Sequence, residues 1–157
     1  MNITVKADIA TLQAGSEIYT AGLDPIKTVE DGMFSLTLQP YPASLLEKSS
    51  KSGGNSLGLN VTDGPLVSVL LLSYWKNKSD DEAVIGFMKT TLEKIKEDAA
   101  SRSQLIPYVY MNYAFEHQDV IGSYGEENKK KLQEASKKYD PEGVFQKGCP
   151  GGFKLFH

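Results

Sequence analysis

Leu66-Val67-Ser68-Val69-Leu70-Leu71-Leu72-Ser73-Tyr74-Trp75 is apolar on both of its alternating faces for most of its length. A half-exposed strand alternates in polarity, so this run reads as a central strand covered on both sides. After it, Ser79-Asp80-Asp81-Glu82 has the form of a capping box. Val84, Phe87, Met88, Thr91, Leu92 and Ile95 then recur at the i, i+3, i+4, i+7 spacing of a helix packed on one side. Before it, Met33 to Gln39 alternates cleanly, with Phe34, Leu36 and Leu38 on one face and Ser35, Thr37 and Gln39 on the other. Pro40 and Pro42 end that strand. Residues 43–64 read as a long connection rich in Ser, Gly, Lys and Asn.

The flanks complete a pattern. Asn2 to Lys6 alternates and reads as a strand, and Asp8 is placed as the N-cap of a helix reaching about Gly22. Pro107 introduces an expected fourth strand, Tyr108 to Ala114, with Tyr108, Tyr110 and Asn112 on one face. Ser123-Tyr124-Gly125-Glu126 resembles a second capping box and opens a helix to about Tyr139, which Asp140-Pro141-Glu142-Gly143 stops. The order β-α-β-β-α-β predicts an α+β domain of ferredoxin-like type, over residues 1–115. Its antiparallel sheet carries both main helices on one face, and residues 116–157 form a C-terminal helix and tail. A two-layer domain leaves the other sheet face to meet something else.

Composition narrows the function. The 157 residues are 40% hydrophobic and 24% charged with a net charge of −3, as in an ordinary globular protein. Lys129-Lys130-Lys131 reads as a solvated helix surface, so no nucleic acid is expected as a partner. The single cysteine, Cys149, has no internal disulfide partner, and His117 and His157 lack zinc-type spacing, so no metal is expected. No apolar run approaches membrane-spanning length and no signal peptide is visible, which leads to the expectation of a cytoplasmic protein without a membrane partner.

The second sheet face is where the sequence points for a site. If Phe34, Leu36 and Leu38 pack under the helices, then Ser35, Thr37 and Gln39 face away, together with Asn2, Thr4, Lys6, Tyr108, Tyr110 and Asn112. A register shift of one residue would invert these sets. Hydroxyls, amides and phenols over an apolar middle suit an organic ligand with a few polar handles. The residues expected to act are Tyr110, Asn112 and Gln39, with Thr37, Ser35, Tyr74, Tyr108 and His117 binding substrate. Glu116 and Asp119 flank His117 and offer acid–base groups in what is otherwise a solvated loop.

Several short motifs carry a more specific signal. Tyr110-Met111-Asn112-Tyr113-Ala114, Gln118-Asp119, Ser123-Tyr124-Gly125, Lys138-Tyr139-Asp140-Pro141, Val144-Phe145-Gln146 and Pro150-Gly151-Gly152-Phe153-Lys154-Leu155 occur in that order. Together they resemble the C-terminal end of fungal flavin-linked oxidases of the berberine bridge enzyme type. The likeness continues upstream more weakly, through Gly53-Gly54-Asn55-Ser56-Leu57-Gly58 and Asp63-Gly64-Pro65-Leu66. It implies a substrate-domain sheet that roofs an active site, with Tyr110 and Asn112 facing flavin or substrate. The family's FAD-binding domain and its flavin-attaching residues have no counterpart in this chain. Three readings follow. The first is a cofactor-free enzyme of secondary metabolism catalysing a cyclisation or isomerisation, in its boldest form a Diels–Alder-type cycloaddition. The second is part of an FAD-linked oxidoreductase completed by a separate FAD-binding chain. The third is a non-catalytic small-molecule binder. In each, a homodimer is expected to cover the vacated surface.

Overall fold

The computed structural model describes residues 1–156. Its elements in chain order are β1 (Asn2–Lys6), α1 (Ile9–Gly22), β2 (Met33–Tyr41), α2 (Ala43–Lys51), β3 (Leu66–Tyr74), α3 (Asp81–Ser101), β4 (Leu105–Ile106), α4 (Glu126–Tyr139) and α5 (Val144–Lys147). The strands form one antiparallel sheet in the order β2-β3-β1-β4, the ferredoxin-like arrangement. Asp8 caps α1 as its sequence position predicts: its Oδ2 accepts from the Thr11 amide and the Thr11 hydroxyl, both at 2.8 Å.

Register decides which side chains share a face. Ser35, Thr37 and Gln39 stand opposite Leu72, Leu70 and Ser68 of β3, and Leu70 and Ser68 stand opposite Asn2 and Thr4 of β1. On the other face Ile3, Val5, Val67, Val69 and Leu71 pack with Phe34 and Leu36 beneath Tyr19 of α1 and Val84, Phe87, Leu92 and Ile95 of α3. Ser35, Thr37 and Gln39 therefore point away from both main helices, as the alternation requires.

The second face is only partly open. Leu66 and Ile106 are buried there under Leu46, Tyr108, Val120, Ile121 and Tyr124. Leu46 belongs to α2, which occupies part of the stretch read from sequence as an irregular connection. Its polar residues look outward and Lys48 and Lys51 lie in its last turn, where they complement the helix dipole. A helix held by one buried leucine leaves almost no periodic signal.

The fourth strand also differs from expectation. β4 is two residues long and pairs only Ile106 with Thr4 and Leu105 with Val5. Pro107 then removes a backbone donor, and residues 111–113 form a 3₁₀ turn instead of a strand. Tyr108, Tyr110 and Asn112 consequently do not share a strand face. Two side-chain amides take over the missing ladder. The Asn2 carboxamide accepts from the Tyr110 amide at 2.9 Å and donates to the Tyr110 carbonyl at 3.0 Å. The Gln118 carboxamide accepts from the amides of Asn2 and Phe115, each at 3.1 Å, and donates to the Asn2 carbonyl at 2.7 Å.

Neither expected capping box forms. Residues 78–80 make a 3₁₀ turn before α3, and Asp80 caps without a side-chain bond. Before α4, Gly125 is the N-cap at φ 85°, and Ser123 instead accepts from the Val109 amide and donates to the Val120 carbonyl. In both places an extra 3₁₀ turn displaces the Ser from the cap.

Candidate functional site

The exposed half of the second face lies along the β2–β3 pair. Tyr74 is 59% exposed, Met33 65% and Leu72 38%. Ser35, Thr37 and Gln39 run beside them in register. Ser35 donates a long bond of 3.4 Å to the Leu72 carbonyl. Deeper in the sheet, Thr4 and Ser68 stand opposite each other, fully buried, and neither hydroxyl has a partner.

One end of this surface is bounded by tyrosines. Tyr41 extends the parity of Ser35, Thr37 and Gln39 by one more step past Pro40. Its ring meets Tyr108 edge-on at 6.3 Å, and Tyr108 stacks on Tyr124 at 5.9 Å. Tyr110 meets Tyr113 edge-on at 4.8 Å. Burial, and then the nearby Tyr110 and Tyr113 phenols, push the Tyr41 phenol above its usual range. Tyr41 and Tyr110 pack against the same cluster, which holds Tyr108 and Tyr124. The Asn112 side chain donates to the Tyr110 hydroxyl oxygen at 2.9 Å. With its oxygen already accepting, the Tyr110 hydroxyl still has its O–H to offer a further acceptor.

The expected site residues divide into four places. Gln39, Thr37, Ser35 and Tyr74 lie on the exposed sheet face, and Tyr110 and Asn112 stand at its tyrosine-lined end. Tyr108 is only 3% exposed. Its phenol is pushed well up, by burial first and by Tyr41 next, so it stays protonated inside the core beneath the surface. His117 is not brought to this surface. It lies near Phe115 at 5.7 Å and lines a cleft of about 390 Å³ with Lys89, Leu92, Pro107 and Gln118. Burial, then Lys89 and the chain's terminal ammonium, lower its pKa. Asp119 is spent on a turn, accepting from the Gly122 amide at 2.9 Å. Sequence reasoning missed Tyr41, Tyr113 and Leu72. Tyr41 was legible in the parity of β2, had the strand been carried past Pro40.

Among the described residues no cluster of His, Cys, Asp and Glu is arranged to hold a metal ion, and no helix is long and apolar enough to cross a membrane. The glycines that would have to cradle a dinucleotide diphosphate are misplaced. Gly53 and Gly54 have φ of 100° and 90° but follow the C-terminus of α2, and a Cβ added to either would meet nothing within 4 Å. A phosphate loop joins a strand to a helix N-terminus.

Residues 109–147 match the family model described as berberine and berberine like. An FAD-dependent monooxygenase of Fusarium proliferatum is 41% identical over 80% of this chain and 25% of its own length. An FAD-dependent monooxygenase of Aspergillus calidoustus is 33% identical over 99% of the chain and 30% of its own length. The bifunctional solanapyrone synthase of Alternaria solani is 35% identical over 83% of the chain and 25% of its own length. The chain thus spans under a third of these curated relatives. No solved structure matches it.

Proposed function

We propose, from the premise that this chain belongs to the berberine-like family of secondary-metabolic oxidoreductases, that it is the substrate-facing roof of an FAD-dependent reaction. The observation that carries this reading is the uncovered half of the second sheet face. There Leu72, Tyr74 and Met33 present apolar area beside Ser35, Thr37 and Gln39. Apolar patches rimmed by polar groups mark surfaces that meet a ligand or partner. The described residues do not fit the nucleotide part of FAD, so the FAD-binding portion is supplied by polypeptide outside these residues, and no redox step runs on the chain itself. The chain's own residues bind and orient. Tyr74 and Leu72 accept a flat organic substrate, Gln39 and Thr37 hydrogen-bond its polar substituents, and the Tyr110 hydroxyl, held by Asn112, donates to a substrate oxygen.

The test is complementation. The Aspergillus calidoustus relative, expressed without the portion this chain matches, is mixed with the purified chain. Co-elution as a yellow complex with restored substrate oxidation is the expected result. Failure to associate, with the truncated relative folded and flavin-loaded, refutes the reading.

A second reading rests on the Tyr110–Asn112 hydrogen bond. A phenol poised to donate polarises a carbonyl and lowers the barrier of a cyclisation, isomerisation or Diels–Alder-type cycloaddition. In those reactions bonds rearrange within the substrate, and no electrons leave it. On this reading the purified chain, as a homodimer free of flavin, converts a polyene or polycyclic substrate by itself. Absence of any turnover that requires Tyr110 eliminates it.

A further inference from the structure

β2 is an outer strand of the sheet, paired with β3 on one side only. An edge strand presents a row of unpaired amides and carbonyls, and proteins usually guard it with charge, proline, a bulge or short length. Of these guards β2 has only Pro40, close to its end. It is nine residues long and carries no charged side chain from Met33 to Tyr41. Its register with β3 runs through every residue without a bulge. Met1 and Leu71 exchange bonds across β1 and β3, so Ser35, Thr37 and Gln39 are the β2 residues bonded to β3, and Phe34, Leu36, Leu38 and Pro40 form the outward row, in which Pro40 lacks only the last donor.

The strand also matches itself when reversed. Turned end for end about Thr37, Leu36 opposes Leu38, Phe34 opposes Pro40, Ser35 opposes Gln39 and Met33 opposes Tyr41. Each polar side chain meets a polar one, and each largely apolar one meets its like on the same face. Leu38, 43% exposed, gains a Leu36 of the second copy as cover.

We infer that β2 pairs antiparallel with β2 of a second copy of this chain, with the two-fold axis at Thr37, so that two sheets become one. A two-fold seam requires a self-complementary patch, which this strand supplies. The bonds lie in the plane of the sheet, so the exposed face stays open and the inference does not rest on the proposed function. At about 3.3 Å per residue the seam is roughly 30 Å long. It is narrower than a standard interface, so the dimer is expected to depend on concentration.

Cysteine cross-linking tests the geometry. Opposed Cα atoms in an antiparallel pair lie about 4.5–5.5 Å apart, inside the range a disulfide spans. Thr37→Cys in a Cys149→Ser background should form a covalent dimer under mild oxidation. Glu97→Cys, on the exposed side of α3, should not. Sedimentation of the unmodified chain should show reversible dimerisation at concentrations on the order of 100 μM. Thr37→Lys places two ammonium groups together at the axis and should leave a folded monomer by circular dichroism. If that variant fails to fold, hydrogen exchange of the unmodified chain decides instead, with the outward amides of Phe34, Leu36 and Leu38 becoming protected as concentration rises. A cross-linking yield no higher at Thr37 than at Glu97, or a dimer whose outward β2 amides exchange freely, overturns the inference.

Discussion

Replacing Asn2 by alanine removes the carboxamide that stands in for the missing end of β4. Asn2 is fully buried, and its side chain serves both the amide and the carbonyl of Tyr110 at 2.9 and 3.0 Å. The substitution leaves both backbone groups without a protein partner. An orphaned buried group costs about 1–3 kcal/mol. Tyr110 is only half-buried, so water reaches part of the way and the lower half of that range applies. Two groups at about 1–2 kcal/mol each give a loss of about 2–4 kcal/mol, against a typical total of about 5–15 kcal/mol. Urea denaturation measures the loss, and hydrogen exchange at the Tyr110 amide locates it. Gln118→Leu should cost at least as much, because it orphans the amide and carbonyl of Asn2 and the amide of Phe115. The double variant should lose less than the sum, since both side chains hold one segment. A loss below about 0.5 kcal/mol with unchanged Tyr110 exchange would show that the extension is held by its apolar contacts alone.

Gly58 has φ of 76°, and a Cβ there would sit 2.6 Å from the Tyr124 carbonyl oxygen. Gly58→Ala should therefore lower stability by about 1–3 kcal/mol in thermal unfolding and loosen the contact between the 52–64 loop and the extension. A third expectation concerns pH. Where Met1 is the first residue, burial pushes its amine pKa from 8.0 down to about 6. The unfolded chain then takes up this proton at higher pH than the folded one. Stability from this source is fully present above about pH 8 and is lost as pH falls towards 6. The ceiling is about 3 kcal/mol, which partial hydration of the amine reduces to about 1 kcal/mol. His117, also lowered, shifts stability in the same direction. Urea midpoints that fall with rising pH across this window would contradict the burial. At the candidate site, Tyr110→Phe and Asn112→Ala should each reduce substrate conversion about 10-fold or more, corresponding to about 1.4 kcal/mol of a lost donor bond. The urea midpoint should move little, and equal kinetics for wild type and both variants would remove Tyr110 from the reaction.

Periodicity carried much of the fold. The alternation of Met33 to Gln39 and the stripe from Val84 to Ile95 marked a strand and a helix whose faces the structure confirms. It failed where little is buried. α2 keeps one leucine inside, so its sequence looks like linker. The Tyr110 segment alternates as a strand would, yet carboxamides from Asn2 and Gln118, 108 and 8 residues away, replace its ladder. Nothing within the segment announces such partners. The site was legible to the same extent. Gln39, Thr37 and Ser35 followed from parity, whereas Tyr108 and His117 did not, because burial of the one and displacement of the other arise from how residues 107–124 turn.

By itself the amino-acid sequence determined the class of fold, the face of β2 that looks away from the helices, and the likeness to flavin-linked oxidases. These are properties of local spacing, since side chains two or about four residues apart share a face wherever the chain runs. Only the tertiary structure decided how much of that face remains open. Coverage depends on where the extension crosses the sheet, and that path is held by long-range bonds to Asn2 and Gln118 and by the packing of Leu46, Tyr108 and Tyr124. Contacts of that separation are chosen by shape and hydrogen-bond balance in three dimensions, and no short window of residues encodes them.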